Sequence, residues 1–85
     1  MPKYKVYFKP SAEKELINLP KHIVESVVLK IDTLIFNPRP RISKKLKGED
    51  SYRLRIGDYR IVYNIDDKNK TITVFRIRHR KDVYR

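Results

Sequence analysis

The spacing of hydrophobic residues changes along the chain from a helical period to a period of two. Residues 4–8, "YKVYF", predict a short strand, and "PSAEKELINLP" predicts a helix that starts at Pro10 or Ser11 and stops at Pro20. The segment "KHIVESVVLKIDTLIF" predicts a second helix, because its apolar residues recur at helical spacing. The residues expected on its buried face are Ile23, Val24, Val27, Val28, Ile31, Leu34 and Ile35. The prolines of "NPRPR" end this helix.

From Tyr52 onward, apolar and polar residues alternate, which is typical of half-buried strands. The Gly57-Asp58 pair predicts a two-residue hairpin loop that places Arg55 opposite Arg60. A further strand follows in "TITVFRIR", where the alternation places Thr73, Phe75 and Ile77 on the apolar side. We therefore expect one α+β domain spanning residues 1–85, with an N-terminal strand, two helices and an antiparallel meander.

The helices of such a fold cover one face of the sheet, and the other face collects arginines. The arginines expected on this other face are Arg53, Arg55, Arg60, Arg76 and Arg78. A charged, solvated sheet face is the ordinary alternative, but residues 52–56 and 59–65 contain no acidic side chain. Like charges opposite each other destabilise a sheet, and the planar guanidinium grips phosphate with two hydrogen bonds. The pattern therefore predicts an anion-binding site.

The net charge strengthens this interpretation. The chain has 21 Lys and Arg against 10 Asp and Glu, a net charge of +11. Residues 1–38 hold 6 basic and 4 acidic side chains, whereas residues 39–85 hold 15 and 6. A field of one sign in half of a small domain favours a nucleic acid or an acidic protein as partner over a generically basic surface.

Other sequence features narrow the chemistry. The chain has no cysteine, no apolar run of membrane-spanning length and no leader-like start. We therefore expect a cytoplasmic protein without a membrane partner. We find no metal-ligand spacing and no glycine-rich phosphate loop, and we expect no cofactor. An enzyme built this way would use arginine electrostatics on a substrate that supplies its own nucleophile, as RNA does with its 2′-hydroxyl. Tyr84 could then stack on a base, and His79 could contact the substrate.

The order of elements, with "KKLKG", "YRLRIGDYRIVY" and "HRKDVYR", resembles the RelE/ParE superfamily of toxins from type II toxin–antitoxin systems. The chain is more similar to the RelE branch, which implies a metal-independent mRNA endoribonuclease that cuts the message on the ribosome and inhibits translation. The resemblance also implies an acidic, RelB-like antitoxin, and operator DNA as a partner only through the antitoxin complex.

The resemblance implies the site residues as well. The expected catalytic residues are Arg53, Arg55, Arg60, Arg80 and Tyr84, with Arg78 as a competitor for the role of Arg80. The expected RNA-binding residues are Arg76, Arg78, Lys45, Lys47 and His79. Positions 53 and 55 are lysines in the best-known RelE toxin, and arginine makes a poor base. Deprotonation would then fall to solvent, to His79 or to no dedicated group. A ParE-like DNA gyrase inhibitor and an inactive basic binding module remain the alternatives.

Overall fold

The structure is a computed structural model that describes residues 3–46 and 51–79. Its elements are β1 (Lys5–Phe8), α1 (Pro10–Ile17), α2 (Lys21–Phe36), β2 (Lys44–Lys45), β3 (Ser51–Ile56), β4 (Tyr59–Asp66) and β5 (Thr71–His79). They form one five-stranded sheet in the order β1-β5-β4-β3-β2. Strand β1 is parallel to β5, and the other neighbours are antiparallel. The α+β class is confirmed, and the short edge strand β2 is an element that the sequence pattern did not predict.

Prolines mark the beginnings of both helices, whereas α1 ends at Ile17, before the expected stop at Pro20. Pro10 is the first residue of α1, a position where the missing N–H costs nothing. Pro20 is the N-cap of α2, and its carbonyl accepts the N–H groups of Ile23 and Val24 at 2.9 and 3.0 Å. Asn37 ends α2 in an extended conformation, as expected for a residue that precedes proline.

The β3–β4 hairpin has the predicted register. Ile56 pairs with Tyr59, and Arg55 pairs with Arg60. Gly57 has a φ of +57°, which a side-chain-bearing residue adopts only with strain, so the turn needs this glycine at its first position.

Strand β5 contains a bulge that the alternation did not predict. Val62 pairs with Arg76 while Tyr63 pairs with Val74, so Phe75 is left out of the register. The extra residue reverses the alternation, so the residues before the bulge face the opposite side from the one expected. Ile72 and Val74 are therefore buried. The prediction that Thr73 and Phe75 face the core is wrong. Phe75 is instead half-buried, with the ammonium of Lys9 4.5 Å from its ring centre.

The helices cover one face of the sheet, as predicted. The buried core consists of Tyr4, Ala12, Val27, Ile31, Leu34, Leu54, Ile61, Tyr63, Ile65, Ile72, Val74 and Ile77. Each fully buried aliphatic side chain contributes about 1.5–3 kcal/mol of hydrophobic stabilisation. Val28 departs from the predicted stripe, because 45% of it remains exposed.

Helix α1 covers part of the outer edge of β5. Strand β1 pairs with β5 only as far as Phe8 and Val74. The Lys9 N–H then donates to the Val74 carbonyl at 2.9 Å, and α1, which begins at the next residue, packs against β5. The last residues of β5 therefore have a helix, and not a strand, as their outer neighbour.

Candidate nucleic-acid interface

Five arginines lie on the sheet face that the helices leave open, and we call this set the basic face: Arg53, Arg55, Arg60, Arg76 and Arg78. Arg60 pairs with Arg55 on one side and with Arg78 on the other, so these three form one row across β3, β4 and β5. Arg53 and Arg76 both pair with Val62 and form the next row. Directly paired residues lie on the same face, and neighbouring strands are about 4.8 Å apart. The strand register thus concentrates five guanidinium groups on a few square nanometres of sheet.

The edge strand β2 adds a lysine to the basic face. Lys44 pairs with Arg53 and shares its face, whereas Lys45 pairs with Tyr52 and lies on the helix side of the sheet. Lys44 and Arg53, together with Arg55 and the exposed Ile42, line a pocket of about 140 Å³. Lys45 is one of the expected RNA-binding residues, but Lys44 is the lysine that shares a face with Arg53. Only the register of a two-residue strand distinguishes them.

His79 also lies on the helix side of the sheet. It pairs with Tyr59, and the two rings meet edge to face with their centres 5.1 Å apart. Tyr59 in turn pairs with Ile56, which packs against the core. His79 is one of the expected RNA-binding residues, and the register places it on the face opposite the arginines. Lys47, Arg80 and Tyr84 lie outside the described residues.

Arg78 is held by an acidic side chain from helix α1. Its Nε donates to Oε2 of Glu15 at 3.2 Å, while the other carboxylate oxygen of Glu15 accepts the Ile77 backbone N–H at 3.1 Å. The ion pair is half-buried, with 42% of the Arg78 side chain and 27% of the Glu15 side chain exposed. Sequence reasoning missed this contact, because it joins residues separated by 63 positions.

A separate polar cluster surrounds Arg39 on the α2–β2 connection. Arg39 donates from both terminal nitrogens to the carboxylate of Asp67, at 3.2 and 2.7 Å, and from Nε to the hydroxyl of Tyr52 at 2.9 Å. Tyr4 donates to the same carboxylate at 2.6 Å. Hydrogen bonds from Arg39 and then Tyr4 lower the pKa of Asp67 from 3.8 to about 2, and the same pairing raises the pKa of Arg39.

The basic face can bind and stabilise negative charge, but it cannot accept a proton. Arginine remains protonated at any physiological pH and offers donors only. Within residues 3–46 and 51–79, no three His, Cys, Asp or Glu side chains are grouped so that they could hold a metal ion. Neither helix in this part of the chain is long and apolar enough to cross a membrane. The described residues therefore form a surface of concentrated positive charge.

Comparison with known proteins agrees with this architecture. Residues 6–84 match the family described as the ParE toxin of the type II toxin–antitoxin system, parDE. The chain is 34% identical to Toxin RelG of Mycobacterium tuberculosis over 84 residues, which cover 96% of this chain and 97% of the relative.

Solved toxin structures have the same fold. A chain of the toxin–antitoxin complex RelBE2 from Mycobacterium tuberculosis superimposes with a TM-score of 0.79 at 34% identity, covering 92% of this chain and 99% of that one. A chain of the archaeal RelE–RelB complex from Pyrococcus horikoshii OT3 gives a TM-score of 0.80 at 32% identity, covering 92% and 96%. The chain belongs to the ParE toxin family of type II toxin–antitoxin systems, within the RelE/ParE superfamily.

Proposed function

We propose that this toxin cleaves mRNA held on the ribosome and thereby inhibits translation in the cytoplasm. The observation that carries the proposal is the register that aligns Arg55, Arg60 and Arg78 in one row, with Arg53 and Arg76 in the next. Paired arginines repel each other in the isolated fold, whereas a bound phosphodiester compensates their charge. RNA supplies several phosphates at once and carries its own nucleophile.

The cleavage step is an attack by the 2′-hydroxyl of one nucleotide on its adjacent phosphate. The 2′-oxygen forms a bond to phosphorus, the bond from phosphorus to the 5′-oxygen of the next nucleotide breaks, and that oxygen takes up a proton. The products are a 2′,3′-cyclic phosphate and a 5′-hydroxyl. Negative charge grows on the phosphate oxygens in the transition state, and donors fixed in advance stabilise it.

We assign the scissile phosphate to Arg60 and Arg55, because Arg60 occupies the middle of the three-arginine row. Arg53 and Arg76 of the next row bind a neighbouring phosphate. The family resemblance adds Arg80 and Tyr84, with Tyr84 stacking on a base.

We assign the proton of the 2′-hydroxyl to solvent. The arginines cannot accept it, and His79 lies on the other face against Tyr59. A His79→Ala variant is expected to keep the wild-type dependence of the cleavage rate on pH. Loss of a titration near neutral pH in this variant would contradict the assignment to solvent.

The proposed step uses no metal ion, since guanidinium groups supply the positive charge at the phosphate. A sulfur atom placed at a non-bridging oxygen of the scissile phosphate tests this, because soft metals prefer sulfur ligands. We expect cleavage to slow by the same factor in Mg²⁺ and in Mn²⁺. Rescue by Mn²⁺ would demonstrate a metal at the phosphate.

We also propose a RelB-like acidic antitoxin as the partner that blocks the basic face. The net charge of +11 and the solved complexes of RelE relatives with RelB support it. Co-expression with a neighbouring reading frame should relieve toxicity and raise solubility. Binding to operator DNA would then occur only through the antitoxin complex.

A second candidate function is inhibition of DNA gyrase, because the family that matches residues 6–84 is described as the ParE toxin of a type II toxin–antitoxin system. Two purified reactions separate the candidates: translation of a defined mRNA, and supercoiling of a plasmid by gyrase. We expect cut mRNA and unchanged supercoiling. Intact mRNA with inhibited supercoiling would replace the first proposal by the second, and no effect in either reaction would leave a binding module.

A further inference from the structure

Glu15 connects helix α1 to strand β5 and to Arg78 of the basic face. Its carboxylate forms an ion pair with Arg78 of this face. One oxygen accepts the Ile77 N–H at 3.1 Å and the other accepts Nε–H of Arg78 at 3.2 Å. The two contacts have different consequences, and substitution can separate them.

The contact with Ile77 satisfies the backbone of β5. Strand β1 no longer pairs with β5 beyond Val74, so the Ile77 N–H has no carbonyl of β1 opposite it. Ile77 is 2% exposed, and a buried N–H without an acceptor is costly. The Glu15 carboxylate therefore takes the place of a strand carbonyl at this edge.

The contact with Arg78 fixes a guanidinium by its Nε. This geometry leaves the two terminal nitrogens outside the contact and fixes the plane of the group. A guanidinium held in this way loses less rotamer freedom when it binds a phosphate with both terminal nitrogens. Supporting hydrogen bonds of this kind keep binding side chains in a productive geometry.

We propose that Glu15 is a positioning residue, which orients Arg78 for a phosphate of bound RNA through the Nε contact. The inference rests on the proposed function, since it takes RNA as the ligand of the basic face. It leads to an unusual expectation: removal of a negative charge next to a cationic site weakens the binding of a polyanion. General electrostatics predicts the opposite sign.

The test compares Glu15→Gln with Glu13→Gln in the purified full chain. Glutamine at position 15 keeps an oxygen for the Ile77 N–H but presents an amide donor to Arg78. Glu13 is an exposed residue of the same helix, so its substitution makes the same charge change without the contact. The probe is a short single-stranded RNA with a 2′-deoxy nucleotide at the cleavage position, followed by fluorescence anisotropy.

We expect Glu15→Gln to weaken RNA binding about fivefold to tenfold, because a hydrogen bond between charged groups is lost from the arrangement that binds the phosphate. Glu13→Gln should leave the affinity unchanged or raise it slightly. In the Arg78→Ala background, Glu15→Gln should have no further effect. Unchanged or tighter binding by Glu15→Gln would overturn the inference.

A second readout does not depend on RNA. The Nε–H resonance of Arg78 should exchange slowly with water in the wild type and quickly in Glu15→Gln, while thermal unfolding confirms that both chains are folded. A resonance that exchanges equally fast in both chains would also overturn the inference. If Arg78→Ala itself binds RNA like the wild type, Arg78 contacts no phosphate and the inference fails, whereas wild-type RNA binding by Arg55→Gln/Arg60→Gln would contradict the assignment of RNA to the basic face, which is a distinct result.

Discussion

Arg39 and the arginines of the basic face have opposite surroundings in this small domain. Arg39 uses Nε and both terminal nitrogens within the fold, on Tyr52 and Asp67, and its guanidinium carbon lies 5.3 Å from the centre of the Tyr52 ring. Arg60 lies in a row in which its neighbours on both adjacent strands are arginines. The first arrangement ties the α2–β2 connection to the β4–β5 turn. The second concentrates charge of one sign.

The difference shows that the partner opposite an arginine decides what the arginine does. A guanidinium that is bonded to a carboxylate and a hydroxyl is a structural group. Guanidinium groups arranged side by side repel one another, and a bound anion offsets this repulsion. The two groups are therefore expected to respond in opposite ways to the same substitution.

The largest effect is expected from the double substitution Arg55→Gln/Arg60→Gln. It should weaken the binding of single-stranded RNA by about 100-fold, since each charge-assisted contact to phosphate contributes about tenfold. The free energy of unfolding should stay the same or rise, because a repulsive cross-strand pair is removed. RNA titration and urea unfolding of the same preparation measure both quantities. A less stable chain with unchanged RNA affinity would reverse the comparison.

Arg39→Gln should give the reverse pattern. We expect the free energy of unfolding to fall by about 1 kcal/mol, the upper end for an exposed ion pair, because the pair is bidentate. RNA affinity should change by no more than about twofold, the effect of one distant charge. A large loss of RNA affinity would place Arg39 in the binding site.

The Arg39 cluster should also make stability depend on acid. The pKa of Asp67 is lowered from 3.8 to about 2 in the folded chain, so its ionised form stabilises the fold above about pH 4. This contribution is lost as the pH falls through about 2. The difference in unfolding free energy between the wild type and Asp67→Asn should therefore shrink between pH 4 and pH 2. A difference that is constant over this range would show that the ion pair does not stabilise the fold.

The smallest effect is expected from inorganic phosphate. At equal ionic strength, replacing chloride by phosphate should raise the unfolding temperature of the wild type by about 2–4 °C more than that of Arg55→Gln/Arg60→Gln, because ligand binding to the native state adds stability. The shift in the unfolding temperature of the variant measures the general stabilisation that phosphate gives by being excluded from the protein surface. Equal shifts in both chains would mean that the basic face binds no phosphate.

Much of the fold could be predicted from residues that are close in sequence. The Gly57 turn and the alternation around it were enough to pair Arg55 with Arg60, because a hairpin loop fixes its own register. The prolines at positions 10 and 20 likewise marked the beginnings of both helices. Each of these signals depends only on residues that are close in sequence.

The errors arose where distant segments decide the structure. The bulge at Phe75 adds one residue to β5 directly after Val74, the last residue of β5 that pairs with β1. A strict alternation therefore placed Thr73 and Phe75 on the wrong face. The contacts of Arg39 with Asp67 and of Glu15 with Arg78 span 28 and 63 positions, and no local pattern indicates them.

We propose that the basic face binds ribosome-bound mRNA for cleavage. Primer extension on stalled ribosomal complexes tests it directly, with the wild type, Arg60→Gln and Lys30→Gln. Lys30 is exposed on α2, so its variant loses the same charge away from the basic face. We expect cuts within the message from the wild type and Lys30→Gln, and at least about 100-fold slower cutting by Arg60→Gln, as for removal of one transition-state donor. Equal cutting by all three chains, or no cutting by the wild type, would contradict the account.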